Sequence, residues 1–198
     1  MKSNIIQMAR ITIIGGGVAG CISAIELAKL GYAVVLLEQA PDILLGTSAR
    51  TPGRMGLGYH YFDSKTAQKY TRHTIDIMRK YNDCFLGGED TPHLQDGRYF
   101  VVKDSLVSAQ DIMASYSEIS ACYEKMCDLD SGNKIFPTTH LHRVLKTDEF
   151  SSDVAMDKVA FAVETKENLL DWKKFDARLR KEIASYPNIT IKTGFEAR

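Results

Sequence analysis

Apolar and polar positions follow two different periods along this chain, and the changes of period mark its elements. Ile11 to Ile14 is a short β-branched run, which suits a strand of a parallel sheet covered on both faces. From there Val18, Cys21, Ile22, Ile25 and Ala28 recur at helical spacing, so a helix is expected to lay one apolar face on that sheet. Gly31 stands where a left-handed C-terminal cap belongs, and Ala33 to Glu38 reads as a second strand that Glu38 closes. These three elements make one βαβ unit.

The period is lost between Gly46 and Phe62 and returns from Ser64 to Tyr81, where Ala67, Tyr70, Thr74, Ile77, Met78 and Tyr81 predict one broad helix face. Asn82, Gly87, Gly88 and Pro92 end that helix and open a loop. Gly97 to Asp104 reads as a strand, with Asp96-Gly97 offering a turn before it. A second long helix, Ser108 to Cys127, repeats apolar positions at Ile112, Tyr116, Ile119, Tyr123 and Met126, the spacing of a packing face. A short strand, Ala160 to Glu164, precedes a helix that carries Leu170, Lys174 and Ala177 beside the apolar row Trp172, Phe175, Leu179 and Ile183. A final strand starts at Ile189.

The break between the first strand and helix carries the chemistry. Gly15, Gly17 and Gly20 fill the three fixed positions of GxGxxG. The first permits a tight strand-to-helix turn, the second lets the backbone approach a pyrophosphate, and the third lets the helix pack closely on the strand. Amides at the start of the helix would point at the phosphates. Glu38 lies near the distance, roughly 20 residues on, at which an acid accepts hydrogen bonds from ribose hydroxyls, and its charge would repel a 2′-phosphate. FAD or NAD is therefore expected over NADP. A βαβ unit whose glycines serve packing alone would leave Glu38 without a reason.

An NAD domain usually continues promptly into another helix and strand, whereas Gly46 to Phe62 interposes a glycine-rich, basic segment. Such a segment offers backbone amides and guanidinium groups to an anion. The glycine motif followed by Ser48, Arg50, Gly53, Arg54, Gly56 and Gly58 resembles the N-terminal half of FAD-dependent oxidoreductases of the D-amino-acid oxidase type, within the glutathione-reductase-like flavoproteins. The resemblance implies FAD as cofactor, with Gly15, Gly17 and Gly20 at the pyrophosphate and Glu38 at the ribose. It further implies that Ser48 and Arg50 touch phosphate or ribityl oxygens, and that Gly56 and Gly58 let the chain pass the isoalloxazine. Thr51 and Pro52 stand where many relatives have other polar residues, often Asn.

The implied fold is α/β, a Rossmann-like FAD/NAD(P)-binding parallel sheet with an interleaved α+β cap or substrate region. Residues 1–62 and 155–198 would form the FAD domain and 63–154 the insertion. The implied reaction is oxidation of a small amine, amino-acid or hydroxy-acid substrate by hydride transfer to flavin, and no residue is assigned as catalytic base. The same resemblance places later flavin-contacting residues beyond Arg198, so the expectation is an incomplete fold that a second chain or a further C-terminal segment completes. Two other readings stand beside it: a non-catalytic nucleotide-binding or partner-binding module, and an NAD-dependent enzyme.

Composition narrows the partners. Lys plus Arg balances Asp plus Glu at 25 each over 198 residues, leaving no broad charge for nucleic acid or an anionic membrane. A small-molecule substrate is the expected partner. The start has too short an apolar run for a signal peptide, and nothing later approaches the roughly 20 apolar residues of a membrane span; the expected location is cytoplasmic. Cys21, Cys84, Cys122 and Cys127 form no CxxC pair, so reduced, packed thiols are expected and no metal site. His140 and His142 have no further ligand at a recognised metal spacing.

Overall fold

Strand β1 (Arg10–Ile14) pairs in parallel with β2 (Ala33–Leu37), Arg10 opposite Ala33 and Ile14 opposite Leu37, in a computed structural model that describes residues 9–51, 53–86, 96–149 and 154–196. Helix α1 (Val18–Lys29) makes the crossover between them and buries Cys21, Ala24, Ile25 and Ala28. It ends as its sequence requires: Gly31 takes a φ of +87°, and its amide donates to the Ala28 carbonyl. Strand β9 (Ile189–Lys192) adds in parallel on the other side of β2, giving the order β1-β2-β9. Helix α4 (Trp172–Ala184) lies beside α1 and buries Phe175, Leu179 and Ile183. Asn188 then ties the return to α1, its side-chain amide donating to the carbonyls of Ala28 and Tyr32.

β1 was expected to be covered on both faces, yet Ile14 is 71% exposed. β2 is the central strand and buries Val34 and Leu36, whereas β1 has a paired neighbour on one side only among the described residues.

These elements form one of two compact units, residues 1–52 with 172–198; residues 53–171 form the other. The junctions lie at 52/53 and 171/172, where the sequence suggested 62 and 155. The reason is a set of short antiparallel strands with no legible period: β3 (Arg54–Met55), β4 (Phe85–Leu86) and β8 (Asn168–Leu170), in the order β3-β8-β4. Leu170, expected in a helix, pairs instead with Phe85, and its amide donates to the Gly53 carbonyl. The helix begins only at Trp172.

The second sheet of this unit has the order β5-β7-β6, from β5 (Asp96–Val102), β6 (His142–Val144) and β7 (Val159–Lys166). Asp96 and Gly97 pair with Lys166 and Thr165 inside the ladder and so are not a turn. The loop expected at Gly87, Gly88 and Pro92 lies outside the described residues. Helices α2 (Ser64–Lys80) and α3 (Ala109–Leu129) pack together and are capped by Asp63 and Ser108, whose side chains accept from the amides of Thr66 and Asp111. Their shared core includes Ala67, Ile75, Met78, Ile112, Tyr116 and Ile119. Tyr70 leaves the expected apolar face of α2; it is 44% exposed and stacks on Tyr61 with ring centroids 4.3 Å apart.

Candidate functional site

At the end of β1 the chain turns sharply, with Gly15 at a φ of +101° that side-chain-bearing residues rarely adopt. Its amide donates to the Leu37 carbonyl at 2.8 Å, tying the turn to β2. Gly20 faces back on this turn: a Cβ there would lie 1.9 Å from the Gly15 carbonyl oxygen. The first turn of α1 can therefore rest on the strand end only without a side chain at position 20.

Gly16, a variable position of the motif, turns out to be the most tightly held. Its amide donates to Glu38 Oε2 at 2.6 Å, and its carbonyl accepts from the Leu44 amide at 2.8 Å and from Cys21 Sγ at 3.4 Å. A Cβ on Gly16 would meet Ile43 Cγ2 at 2.8 Å and Glu38 Oε2 at 3.0 Å. The second Glu38 oxygen accepts from the Ala40 amide at 2.8 Å. A carboxylate offers about four lone-pair sites, so Glu38 keeps acceptor capacity while fixing the turn.

The turn fits a diphosphate. A Cβ on Gly15 would meet nothing within 4 Å, and one on Gly17 only Ser48 Oγ at 3.4 Å. The first intrahelical bond runs from the Cys21 amide to the Gly17 carbonyl, so the preceding amides lie outside the helical ladder. No acidic residue stands in the first turn of α1 to oppose an anion. Ser48, in a 3-10 turn spanning Thr47–Arg50, accepts from the Val18 amide at 3.4 Å, and Arg50 is exposed on the same turn. The structure thus brings Gly15, Gly17, Gly20, Glu38 and Ser48 to one place.

Gly56 and Gly58 belong to the second unit. Gly58 has a φ of +100°, and a Cβ there would lie 2.6 Å from the Ala67 carbonyl, so close approach of α2 already requires glycine. The Gly56 and Leu57 carbonyls accept from the hydroxyls of Thr74 and Thr71, each at 2.8 Å. Behind them lies a feature that sequence reasoning missed. Glu167, 2% exposed, accepts from the Leu57 amide at 3.0 Å and from Tyr99 Oη at 3.0 and 3.1 Å, and faces Arg54 Nη1 at 3.7 Å. Burial, then the Glu167 charge, pushes the Tyr99 hydroxyl far above its ordinary range and that of Tyr116 up to about 12. Both hydroxyls stay protonated, and Tyr99 is the donor.

A cavity of about 720 Å³ opens in the same unit, lined by Arg54, Met55, Gly56, His60, Thr66, Lys69, Tyr70, His73, Thr74 and Ile77. That volume suits a small organic molecule. Arg54 and Lys69 are among the lining residues, and no carboxylate is. No helix among the described residues is long and apolar enough to cross a membrane.

Residues 10–154 match the family described as FAD dependent oxidoreductase. A stretch of 66 residues is 42% identical to the FAD-dependent monooxygenase kojA of Aspergillus flavus, covering 33% of this chain and 15% of that protein. The fold is similar to that of L-proline dehydrogenase from P. horikoshii, with a TM-score of 0.60 at 16% identity over 96% of this chain and 45% of the other. It is also similar to that of L-amino acid deaminase from Proteus myxofaciens, with a TM-score of 0.54 at 18% identity over 94% and 38%. The chain spans less than half the length of each of these proteins.

Proposed function

We propose, for a chain that belongs to the family of FAD-dependent oxidoreductases, that the turn after β1 holds the ADP half of FAD and that the protein oxidises a small amine, amino acid or hydroxy acid. The observation that carries this reading is the Gly16 peptide clamped by Glu38 beside an open Gly15–Gly17 cradle at the start of α1. When bound, FAD supplies the acceptor for the hydride that leaves the substrate carbon.

The chain's own residues supply position and charge. Gly15 and Gly17 leave room for the diphosphate, while α1 directs its free amides and the positive end of its dipole towards it. Ser48 and Arg50 extend that contact, and Glu38 accepts from the ribose hydroxyls. The family resemblance assigns Gly56 and Gly58 to the flavin. In this reading residues 1–52 with 172–198 are the FAD-binding domain and 53–171 the substrate region. The cavity, with Arg54 and Lys69 in its wall and no carboxylate among its lining residues, supports a substrate bearing a carboxylate.

Anaerobic mixing of the FAD-loaded protein with a panel of amines, amino acids and hydroxy acids tests the reaction class. Loss of the oxidised flavin's visible band with one class identifies the substrate. A bound flavin that no member of the panel reduces would overturn the proposed reaction and leave a dinucleotide-binding module.

A further inference from the structure

We infer that Arg180, on α4, is a positioning residue for the dinucleotide turn, acting through the backbone of residues 42–44. The inference rests on the reading of that turn as the FAD site. Arg180 lies far along the chain, beyond the whole of the second compact unit. Its Nη2 donates to the Ile43 carbonyl at 2.8 Å, its Nη1 to Asp42 Oδ2 at 2.8 Å, and its Nε to Asp176 Oδ2 at 2.9 Å. All three nitrogens of one rigid planar group are thus engaged, a geometry that a lysine cannot reproduce.

What the guanidinium holds is a segment under strain. Leu44 has a φ of +64°, the one positive value among non-glycine residues described, and a bulky side chain in that conformation persists only when its surroundings fix it. Leu44 is also the residue whose amide donates to the Gly16 carbonyl at 2.8 Å, and the Ile43 side chain packs against Gly16. The links run from Arg180 to the Ile43 carbonyl, to the Leu44 amide, and so to the Gly16 peptide. Glu38 holds the other side of that peptide. Half-exposed ion pairs such as Arg180 with Asp42 contribute little by themselves. The hydrogen bond to the Ile43 carbonyl is the contact that reaches the turn.

The test uses the whole chain with Arg180→Met, which keeps most of the stem and loses the fork, alongside Arg180→Lys and Asp176→Asn. Amide hydrogen exchange in the ligand-free protein reads the turn directly, and FAD titration reads its consequence. The expected result is faster exchange at Gly16 and Leu44 in both Arg180 variants, exchange elsewhere unchanged, and FAD affinity about tenfold weaker. Asp176→Asn should resemble wild type in both measurements. Should Arg180→Met fail to fold, Arg180→Lys carries the same two readouts. Unchanged exchange at Gly16 and Leu44, a uniform rise across the chain, or undiminished FAD affinity despite faster local exchange would each overturn the inference. If wild type ignores FAD while exchange at Gly16 still responds to Arg180, the control of the turn stands and the cofactor reading fails.

Discussion

Replacing Gly20 by alanine would place a methyl carbon 1.9 Å from the Gly15 carbonyl oxygen and 3.1 Å from the Gly15 carbonyl carbon. Carbon and oxygen atoms in contact ordinarily sit about 3.3–3.6 Å apart, so relief needs roughly 1.4 Å of movement between α1 and the turn. Both obstacles are backbone, and no side-chain rotation helps. Moving α1 lifts Cys21, Ala24 and Ile25, all at 0% exposure, from their contacts. Overpacking of this kind costs about 1–3 kcal/mol, and the rigid obstacle places Gly20→Ala near the top of that range. Alanine's better helix propensity returns up to about 1 kcal/mol. The net loss is then about 2 kcal/mol, or roughly 4–8 °C in Tm for a chain of this size. Thermal melting followed by circular dichroism measures it, with Gly46→Ala as control, because a Cβ at Gly46 meets nothing within 4 Å and its φ is −81°. A Gly20→Ala protein that melts with wild type, or a Gly46→Ala protein equally destabilised, would refute the packing reason for this glycine.

Glu167→Gln is expected to lower stability by about 1–3 kcal/mol in denaturant unfolding, because an amide nitrogen would then face groups that already donate. Gly97→Ala would press a methyl to 2.7 Å from Glu167 Oε2 and 2.9 Å from Arg54 Nη1; its effect should be non-additive with Glu167→Gln, and simple additivity would argue against one shared cluster. The Thr66 hydroxyl and amide hold the Asp63 carboxyl below its usual range, so the cap's contribution is present above the unfolded carboxylate pKa and is lost as pH falls through the lower folded value. Asp63→Ala should therefore destabilise at neutral pH and match wild type in strong acid, as pH-dependent unfolding would show. Cys127 is partly exposed whereas the other three cysteines are buried, and burial pushes the Cys21 thiol up to about 11, so alkylation near neutral pH followed by peptide mapping should label Cys127 first and reach Cys21 only on unfolding.

The first βαβ unit was legible because its punctuation is steric. Gly15 and Gly31 occupy positive φ, Gly20 faces a carbonyl, and each position admits almost no other residue. The distance along the chain singles out Glu38, and the fold sets it against the Gly16 amide. The clamp on Gly16 was not, because the Leu44 amide that supplies half of it carries no side-chain signature. Arg180 looks in sequence like one more charge on a solvated helix face, and only the folded chain brings it to Ile43. Glu167 was hidden similarly: an acid between two apolar strands gives no sign that Tyr99, Leu57 and Arg54 converge on it. Leu170 reads as helical in the sequence because three-residue strands such as Asn168–Leu170 are too short to display a period of two.

Equilibrium titration of the whole chain with FAD, ADP and FMN tests the dinucleotide site most directly. If the glycine turn and Glu38 hold the ADP half of the cofactor, FAD binds with a shifted visible spectrum, ADP displaces it, FMN does not compete, and Glu38→Gln weakens both FAD and ADP. A chain that binds neither FAD nor ADP, or one from which FMN displaces FAD while ADP is inert, would contradict that assignment.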